Sequence, residues 1–291
     1  MPELPEVETI VRQLGHTVVG LKIKDTWTDW PRTIKTHKLA DFVREIGGRK
    51  ILRAHRRAKY IMLDLSGGKT CIIHQKISGH LLYGKWKIEK GKPIATIKGP
   101  VKDDPYNRFI RFILYLSNGY MLGLSDVRRF GKVFLGDTEK IEHINEIGRL
   151  GPEPLDPKFT LKKFVELMRK RKGLIKKVLM DPFIIVGVGN IYSDEVLWYA
   201  GISPLRRVET LKDKELSLIY KHVRLVLNKS IRAKGDSKQD YRTLDGKFGN
   251  YQNMHRAYQL TGQKCKKNDG GIIKKIKVNT RSAHFCPVHQ R

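Results

Sequence analysis

Apolar residues near the start of the chain recur at the spacing of a helix. Leu4, Val7, Ile10, Val11 and Leu14 return about every third or fourth position, which places them on one helix face. The pattern predicts an amphipathic helix that begins close to the first residue of the chain. We therefore expect the N-terminal residues to occupy a defined place in the fold.

The pattern changes to short apolar segments between residues 51 and 135. Segments 60–65 and 69–74 flank a Ser-Gly-Gly turn and predict one β-hairpin. Segments 109–116 and 120–124 flank an Asn-Gly turn, whose residues accept the positive φ angles of a tight hairpin, and predict a second one. Strands of this length and spacing are typical of a β-sandwich.

Beyond residue 151 the apolar spacing is helical again, which predicts a helical second half. The last long helix is marked by Leu216, Ile219, Tyr220, Val223 and Leu227. Segment 261–291 combines basic residues with a few apolar ones and predicts a small β-hairpin. We expect an α+β fold in three parts: an N-terminal β-sandwich with its helix over residues 1–135, a linker and helical domain over 136–233, and a loop with a C-terminal β-hairpin finger over 234–291.

The charge of the chain narrows the choice of partner. Its 58 Lys and Arg residues against 29 Asp and Glu give a formal net charge of +29, while 40% hydrophobic residues suffice for a folded core. Such a charge favours nucleic acid over a membrane, since no apolar run approaches the ~18 residues of a membrane span. A surface that is merely rich in lysine is the plainer alternative. Three cysteines are too few for a disulfide framework and favour a reducing compartment, cytoplasmic or nuclear.

The second residue of the chain offers unusual chemistry. Removal of Met1 would leave Pro2 with a free secondary amine, whose pKa near ~8 leaves part of it unprotonated at neutral pH. A secondary amine that attacks a sugar aldehyde carbon forms an iminium ion, and Glu3 beside it is placed to transfer protons. The plainer alternative is that Pro2 only begins a helix.

Five motifs in order along the chain resemble one family. They are residues 2–9 (PELPEVET), 57–60 (RAKY), 74–79 (HQKISG), 126–131 (DVRRFG) and 187–195 (GVGNIYSDE). Together they are similar to the N-terminal, hairpin-lysine, damage-site, DNA-wedge and helix-two-turn-helix motifs of the formamidopyrimidine-DNA glycosylase and endonuclease VIII family. The chain therefore resembles the formamidopyrimidine-DNA glycosylase branch over nearly its whole length.

The resemblance implies a bifunctional DNA glycosylase and AP lyase of base excision repair. It assigns Pro2 as the nucleophile, Glu3 as the general acid and base, and Lys59 as a phosphate contact and proton donor near the lesion. Glu6 and Glu195 would support the active site. An amine, a carboxylate and a cation are enough for base removal and strand cleavage, so no cofactor is expected for catalysis.

DNA contacts follow from the same resemblance. A glycosylase takes its target base out of the stack, and Ile77, Arg128 and Phe130 occupy the positions that fill the space left behind. The family usually has methionine where Ile77 stands, so a branched side chain fills that space here.

Phosphate contacts are expected further along the chain, from Lys176, Asn190 and Arg281. Asn190 is a natural N-cap for the helix that follows the Gly-x-Gly sequence, and the amides at such a helix start attract phosphate.

The C-terminal finger departs from the family's usual pattern of two Cys-x2-Cys pairs. Cys265, Cys286 and His289 are plausible zinc ligands, but Asn268 stands where a further cysteine is usual. Asp269 or His284 would have to supply the fourth ligand. Because zincless fingers also occur in the family, bound zinc and a metal-free finger both stay open.

Loop 245–252 resembles the lesion-covering loop of the purine-directed branch, and Leu4 stands where the pyrimidine-directed branch more often has glycine. Both features favour 8-oxoguanine and formamidopyrimidines in damaged double-stranded DNA as the substrate. We expect the chain to act as a monomer. Oxidised pyrimidines are the alternative substrate. A non-catalytic binder of damaged DNA and an RNA-binding factor are the alternative classes. Intact Pro2, Glu3 and Lys59 disfavour the first, and an N-terminal Pro-Glu has no role in the second.

Overall fold

The structure, a computed structural model, describes residues 2–291 except for the side chains at positions 142, 143, 145 and 146. Two compact units can be distinguished. Unit one comprises the residues up to 148 together with 233–252, and unit two comprises 149–232 together with 253–291. No helix of the described residues is long and apolar enough to cross a membrane.

Unit one is a β-sandwich with short helices. Its strands are β1 (Ile23–Thr28), β2 (Ile51–Arg57), β3 (Tyr60–Leu65), β4 (Lys69–His74), β5 (Gly79–Gly84), β6 (Trp86–Glu89), β7 (Lys92–Ala95), β8 (Ile110–Leu116), β9 (Met121–Asp126) and β10 (Lys132–Asp137). Its helices are α1 (Leu4–Thr17), α2 (Leu39–Ile46), α3 (Pro100–Asp103) and α4 (Asn145–Gly148). Both predicted hairpins are present, as β3–β4 and β8–β9.

Two antiparallel sheets make up the sandwich. One has the strand order β1-β8-β9-β5 and the other the order β10-β4-β3-β2, while β6 and β7 form a separate hairpin. Apolar residues of both sheets share one core, for example Phe112 and Leu124 from the first sheet and Leu63 and Ile73 from the second. The apolar face of α1 packs into that core and so fixes the start of the chain.

Unit two is helical and ends in the predicted hairpin. It contains α5 (Leu161–Arg169), α6 (Ile175–Met180), α7 (Asn190–Ala200) and α8 (Asp213–Arg232), followed by β11 (Lys274–Val278) and β12 (Arg281–Phe285). Strand β12 contacts α7, so the finger belongs to the same unit as the helices. The α+β fold class, with a β-sandwich, a helical part and a C-terminal hairpin, is confirmed.

The segment 233–252 belongs to unit one, whereas the sequence grouped residues 234–252 with the finger. Part of this segment packs into the sandwich. Tyr241 and Leu244 lie in the sandwich core, and the carbonyl of Leu244 accepts the N–H of Tyr83 at 2.7 Å. These contacts join residues far apart in the chain, which a local pattern of apolar positions does not reveal.

Candidate active site

The start of the chain is buried and held by one carboxylate. Pro2 and Glu3 are buried immediately before α1. One oxygen of Glu6 accepts the N–H of Glu3 at 2.7 Å, and the other accepts the N–H of Asp236 at 2.8 Å. A carboxylate in the first helical turn is favoured by the helix dipole and by unpaired N–H groups. Glu6 therefore fixes the backbone beside Pro2, and its role in supporting an active site stays a prediction.

Lys59 lies in the two-residue turn between β2 and β3. Ala58 adopts a φ of 53°, a left-handed conformation that is costly for alanine, and the flanking Arg57 and Tyr60 form the last pair of the ladder. The hairpin thus presents Lys59 at a defined point of unit one.

His74, the first residue of the damage-site motif, is a functional candidate to which the sequence assigned no role of its own. Burial, together with the charges of Lys76, Lys59 and Lys132, holds the pKa of His74 well below its ordinary value. Its Nδ1 accepts the N–H of Lys76 at 2.9 Å, so the neutral ring carries its proton on Nε2. An uncharged donor beside Lys59 suits a phosphate, and only the folded chain brings these residues together.

Two loops of unit one carry the three predicted space-filling residues. Ile77 lies between β4 and β5, while Arg128 and Phe130 lie between β9 and β10. Asp126 joins the loops, because its carboxylate accepts the hydroxyl of Ser78 at 2.5 Å and the N–H of Arg128 at 3.2 Å. Phe130 is 53% exposed, which leaves its ring available to a partner.

In unit two, Asn190 begins helix α7 instead of capping it. Gly189 holds the cap position, so the predicted N-cap was wrong by one residue. The side-chain Oδ1 of Asn190 is buried and has no hydrogen-bond partner among the described atoms. The side-chain oxygen of Asn190 therefore does not cap the helix. Asn190 stays a predicted phosphate contact.

Lys176 lies inside unit two. Its ammonium is 2.5 Å from a carboxylate oxygen of Asp194 and 3.0 Å from the hydroxyl of Ser193, and both charged side chains are nearly inaccessible. The other carboxylate oxygen of Asp194 accepts the N–H and Nδ1 of His284 in β12. This network joins α6, α7 and the finger, and it gives the Lys176 amine a structural partner where the sequence predicts a phosphate contact.

Glu195 and Arg281, the remaining predicted residues of unit two, lie in different surroundings: one is buried and the other is exposed. The buried carboxylate of Glu195 accepts the N–H groups of Arg256, Ala257 and Tyr258, each with a contact of 2.9 Å. Burial raises the pKa of Glu195 despite these hydrogen bonds. Arg281 is exposed at the first position of β12. Glu195 thus anchors the segment leading to the finger, and Arg281 stands at the tip of the hairpin.

Four finger residues form a cluster that could hold a metal ion. The ligand atoms of Cys265, Asp269, Cys286 and His289 all lie within 4.8 Å of one another. Nδ1 of His289 faces an Asp269 oxygen at 2.7 Å, and its Nε2 is 3.1 Å from the carbonyl of Trp198.

The chemistry of this cluster fits zinc. Two sulfurs, one imidazole and one carboxylate are all established zinc ligands, and a ligating histidine commonly donates its second N–H to a carbonyl. Against the opposing effect of desolvation, hydrogen bonds led by the N–H of Gly271 lower the pKa of Asp269 to about 2, so the carboxylate is ionised. The other candidate for the fourth ligand, His284, instead pairs with Asp194.

Comparison with known proteins identifies the family. Residues 1–133 match the family model of the formamidopyrimidine-DNA glycosylase N-terminal domain, and residues 150–242 match that of its H2TH domain. The chain belongs to the formamidopyrimidine-DNA glycosylase family. The predicted enzyme class, a DNA glycosylase of base excision repair, is thereby confirmed.

Full-length relatives agree with this assignment. A formamidopyrimidine-DNA glycosylase from Pelotomaculum thermopropionicum is 36% identical over 291 residues, covering 100% of this chain and 99% of the relative. The protein of the same name from Chloroflexus aggregans is 38% identical over 295 residues, covering 100% and 98%. Both alignments include the N-terminal residues and the finger.

Solved structures share the fold. A Lactococcus lactis Fpg mutant in complex with a Fapy-dG containing DNA has a TM-score of 0.86 and 32% identity, covering 100% of both chains. The wild-type Lactococcus lactis Fpg in complex with a N7-benzyl-Fapy-dG containing DNA has the same values. The structural likeness therefore extends over the whole chain.

Proposed function

We propose that this chain is a bifunctional DNA glycosylase and AP lyase that removes oxidised purines, 8-oxoguanine and formamidopyrimidines, from double-stranded DNA. The observation that carries the proposal is the buried start of the chain. Pro2 and Glu3 are adjacent there, and Glu6 holds the Glu3 backbone through its N–H. A nucleophile and a carboxylate in fixed positions are the pairing that covalent catalysis needs.

The chemistry begins once removal of Met1 frees the Pro2 amine. The Pro2 nitrogen bonds to C1′ of the sugar, the glycosidic bond breaks, and the leaving base takes its electron pair and a proton. The amine then gives up its proton and the C1′–O4′ bond breaks as O4′ takes a proton, which opens the sugar and leaves an iminium ion between Pro2 and C1′. This ion acidifies C2′, so loss of a C2′ proton expels the 3′ phosphate, and a second elimination expels the 5′ phosphate. Glu3 is the group that transfers protons, and Lys59 balances phosphate charge.

Each unit contributes its own predicted DNA contacts. Unit one offers Ile77, Arg128 and Phe130 on two joined loops, while unit two offers Asn190 and Arg281. The excess of basic residues supplies a salt-dependent attraction to DNA. We propose that the chain works as a monomer wherever chromosomal DNA lies, around a nucleoid in the cytoplasm or in a nucleus.

We also propose that the finger binds one structural zinc ion through Cys265, Asp269, Cys286 and His289. The close grouping of these four ligand atoms supports the proposal. Zinc would brace the turns that flank the hairpin and would take no part in the chemistry. Asp269 then occupies the coordination position that the sequence left open between Asp269 and His284.

Borohydride trapping tests the catalytic proposal. The methionine-processed chain is incubated with duplexes that contain 8-oxoguanine opposite cytosine, 5,6-dihydrouracil or an abasic site, and borohydride is added to reduce any Schiff base. We expect a covalent complex and nicked product with 8-oxoguanine and with the abasic site. A control chain with two extra residues before Pro2, which turn its amine into an amide, should trap nothing.

The outcomes separate the alternatives. Trapping with dihydrouracil in place of 8-oxoguanine would move the substrate to oxidised pyrimidines while keeping the nucleophile. Trapping with the abasic duplex alone would leave a lyase without the assigned lesion. No trapping with any duplex, but tight binding to them, would make the chain a non-catalytic binder, and full trapping by the extended control would remove Pro2 as the nucleophile.

A further inference from the structure

Three basic side chains of unit two lie near the end of helix α7. Lys229 and Arg256 both donate to the hydroxyl oxygen of Tyr199, from Nζ at 3.2 Å and from Nε at 3.5 Å. The ammonium of Lys267 is 5.4 Å from the ring centroid of Trp198, the residue before Tyr199. We call Tyr199, Lys229, Arg256 and Lys267 the basic cluster.

The cluster lacks a compensating negative charge. None of its three cations forms an ion pair with a carboxylate in the part of the chain that the structure describes. Cations that share one acceptor oxygen lie close together and repel each other. A single solvated lysine is ordinary on a protein surface, but these side chains are directed at one hydroxyl group. Their repulsion would be relieved by a bound anion.

The ring of Tyr199 has a fixed position between two helices. It stacks on His222 of α8 with a centroid distance of 5.8 Å and an interplanar angle of 20°. It also meets the ring of Trp198 edge-on, at 5.0 Å and 88°. Lys229 lies seven positions after His222 and therefore on the same face of α8. The hydroxyl of Tyr199 is thus held where the ammonium can reach it.

Arg256 approaches Tyr199 from the segment that leads to the finger. Its backbone N–H donates to the buried carboxylate of Glu195 at 2.9 Å, and the next two residues donate to the same carboxylate. The guanidinium therefore extends from a fixed backbone position. Because its ring and backbone supports are already ordered, the cluster loses little conformational entropy when an anion binds.

His222 reports the positive surroundings of the cluster. Burial, together with the charges of Lys221 and Lys267, lowers the pKa of His222. Its ring is therefore neutral at neutral pH and serves as a flat support for Tyr199. The positive charge of the cluster comes from its lysine and arginine side chains.

The chemistry of the cluster fits a phosphate group. The hydroxyl oxygen of Tyr199 accepts from Lys229 and Arg256, which leaves its own O–H free to donate. Among the described residues, no acceptor takes this proton. An ammonium, a guanidinium and a phenolic O–H gathered around one point are the donors that proteins commonly use for phosphate oxygens in DNA.

We propose that the basic cluster is a further phosphate-binding site, which holds a phosphodiester group of double-stranded DNA on unit two. The inference rests on the proposed function, in that the ligand is DNA. It assigns the contact to residues other than the predicted phosphate contacts Asn190 and Arg281. The phosphate belongs to the duplex that carries the lesion or to a second duplex, because both present the same group.

DNA affinity at several salt concentrations tests the site. The probe is a fluorescent duplex that contains tetrahydrofuran, an abasic analogue that forms no Schiff base. For Lys229→Gln/Arg256→Gln we expect the dissociation constant to rise roughly tenfold or more. The slope of log affinity against log salt should fall by about 0.9, which corresponds to one phosphate. Tyr199→Phe keeps both cations and the ring, so it should weaken binding about threefold and leave the slope unchanged.

A matched control removes the same number of charges elsewhere in unit two. Lys162 on α5 and Lys214 on α8 are both exposed, and Lys162→Gln/Lys214→Gln should retain the affinity and slope of the wild type. The melting temperature of Lys229→Gln/Arg256→Gln should equal or exceed that of the wild type, because the substitutions remove repulsion between like charges.

A bridging assay identifies the source of the phosphate. A duplex fixed to beads is mixed with the protein and with a second, fluorescent duplex, and the captured fluorescence is measured. Weaker binding of the single duplex in solution assigns the phosphate to the duplex that carries the lesion. A loss confined to bridging assigns it to a second duplex. Either result supports the site.

Three results would overturn the site. They are unchanged affinity, slope and bridging in Lys229→Gln/Arg256→Gln, an equal loss in the matched control, and a clear fall in the melting temperature that accounts for the weaker binding. Borohydride trapping on saturated abasic DNA should proceed at the wild-type rate in the double variant. If the wild type binds the duplexes but traps nothing, only the catalytic proposal fails, and the binding measurements still decide the role of the cluster.

Discussion

Glu6 and Asp236 are 230 positions apart in the chain, yet a carboxylate oxygen of Glu6 accepts the N–H of Asp236 at 2.8 Å. The other oxygen accepts the N–H of Glu3 at 2.7 Å. One buried side chain therefore holds both the start of the chain and the segment 233–252. Any loss of this carboxylate should disturb the position of the proposed nucleophile.

Glu6→Gln is the first prediction. The amide replaces one acceptor oxygen by an NH2 group, which would face a backbone N–H, and a hydrogen bond to a charged group is worth about 1.5–3 kcal/mol. We expect the rate of borohydride trapping on abasic DNA to fall roughly 10- to 100-fold. Glu8→Gln is the control, because Glu8 lies on the same helix but pairs with Arg12 and Arg56. Equal losses in the two variants would show that the effect is not specific to Glu6.

Local patterns predicted most of the fold. The first helix was predicted from its apolar spacing, and the structure buries those apolar residues on one face of α1. The strands 60–65 and 69–74 have the predicted bounds because the turn residues between them are distinctive. The placement of loop 233–252 in unit one was missed. It depends on contacts such as Arg242 with Asp104, whose partners are 138 positions apart and leave no local pattern.

The second prediction concerns Lys176. Removing one member of a buried ion pair leaves an uncompensated charge, which costs roughly 3–5 kcal/mol. We expect Lys176→Met to lower the melting temperature by about 10 °C. Lys177→Met, at an exposed neighbouring position on α6, should leave it unchanged.

The same variants separate a structural role from DNA contact. A lost phosphate contact would reduce the slope of log affinity against log salt by about 0.9. For Lys176→Met we expect no change of this slope at a temperature where the variant is folded. A reduced slope together with an unaltered melting temperature would instead support the phosphate contact that the resemblance predicted.

The third prediction is a loss of stability in mild acid. His80 is buried against the Asn107 side chain, and burial lowers the pKa of His80 to about 4. Between pH ~6.5, the ordinary histidine value, and pH 4, the unfolded chain binds a proton that the folded chain does not, so the free energy of unfolding falls as pH falls. This group contributes a decrease of roughly 3 kcal/mol, and His74 acts in the same direction.

Urea unfolding at several pH values measures this effect. His80→Gln should reduce the slope between pH 6.5 and 5.5, above the ordinary pKa values of carboxylates, while the contribution of His74 remains. His16→Gln, which alters an exposed histidine at the end of α1, should retain the full slope. An unchanged slope in His80→Gln would mean that another group is responsible.

The candidate site was predictable to the extent that motifs mark it. Pro2, Glu3 and Lys59 stand out through their sequence neighbours, but the burial of Lys176 and the neutral ring of His74 do not. Both depend on which side chains surround a charge in the folded chain. The choice between Asp269 and His284 in the finger has the same origin, because His284 is engaged by Asp194, a residue of α7.

The last prediction is that Asp269 is a zinc ligand. Even partners outside the ligand sphere change metal affinity by about 10- to 100-fold, so Asp269→Ala should weaken zinc binding by roughly a hundredfold or more. After dialysis against a chelator, the zinc content of purified Asp269→Ala should fall from one ion per chain to a small fraction. The wild type should keep its ion under the same conditions. Substituting Co²⁺ should give thiolate charge-transfer absorption in the wild type, because two of the four ligands are cysteines. His284→Ala should retain the metal, as should Cys71→Ser, whose thiol is buried in the sandwich core. Loss of zinc in His284→Ala with retention in Asp269→Ala would exchange the assigned ligands, since the two residues were the alternatives for the fourth position.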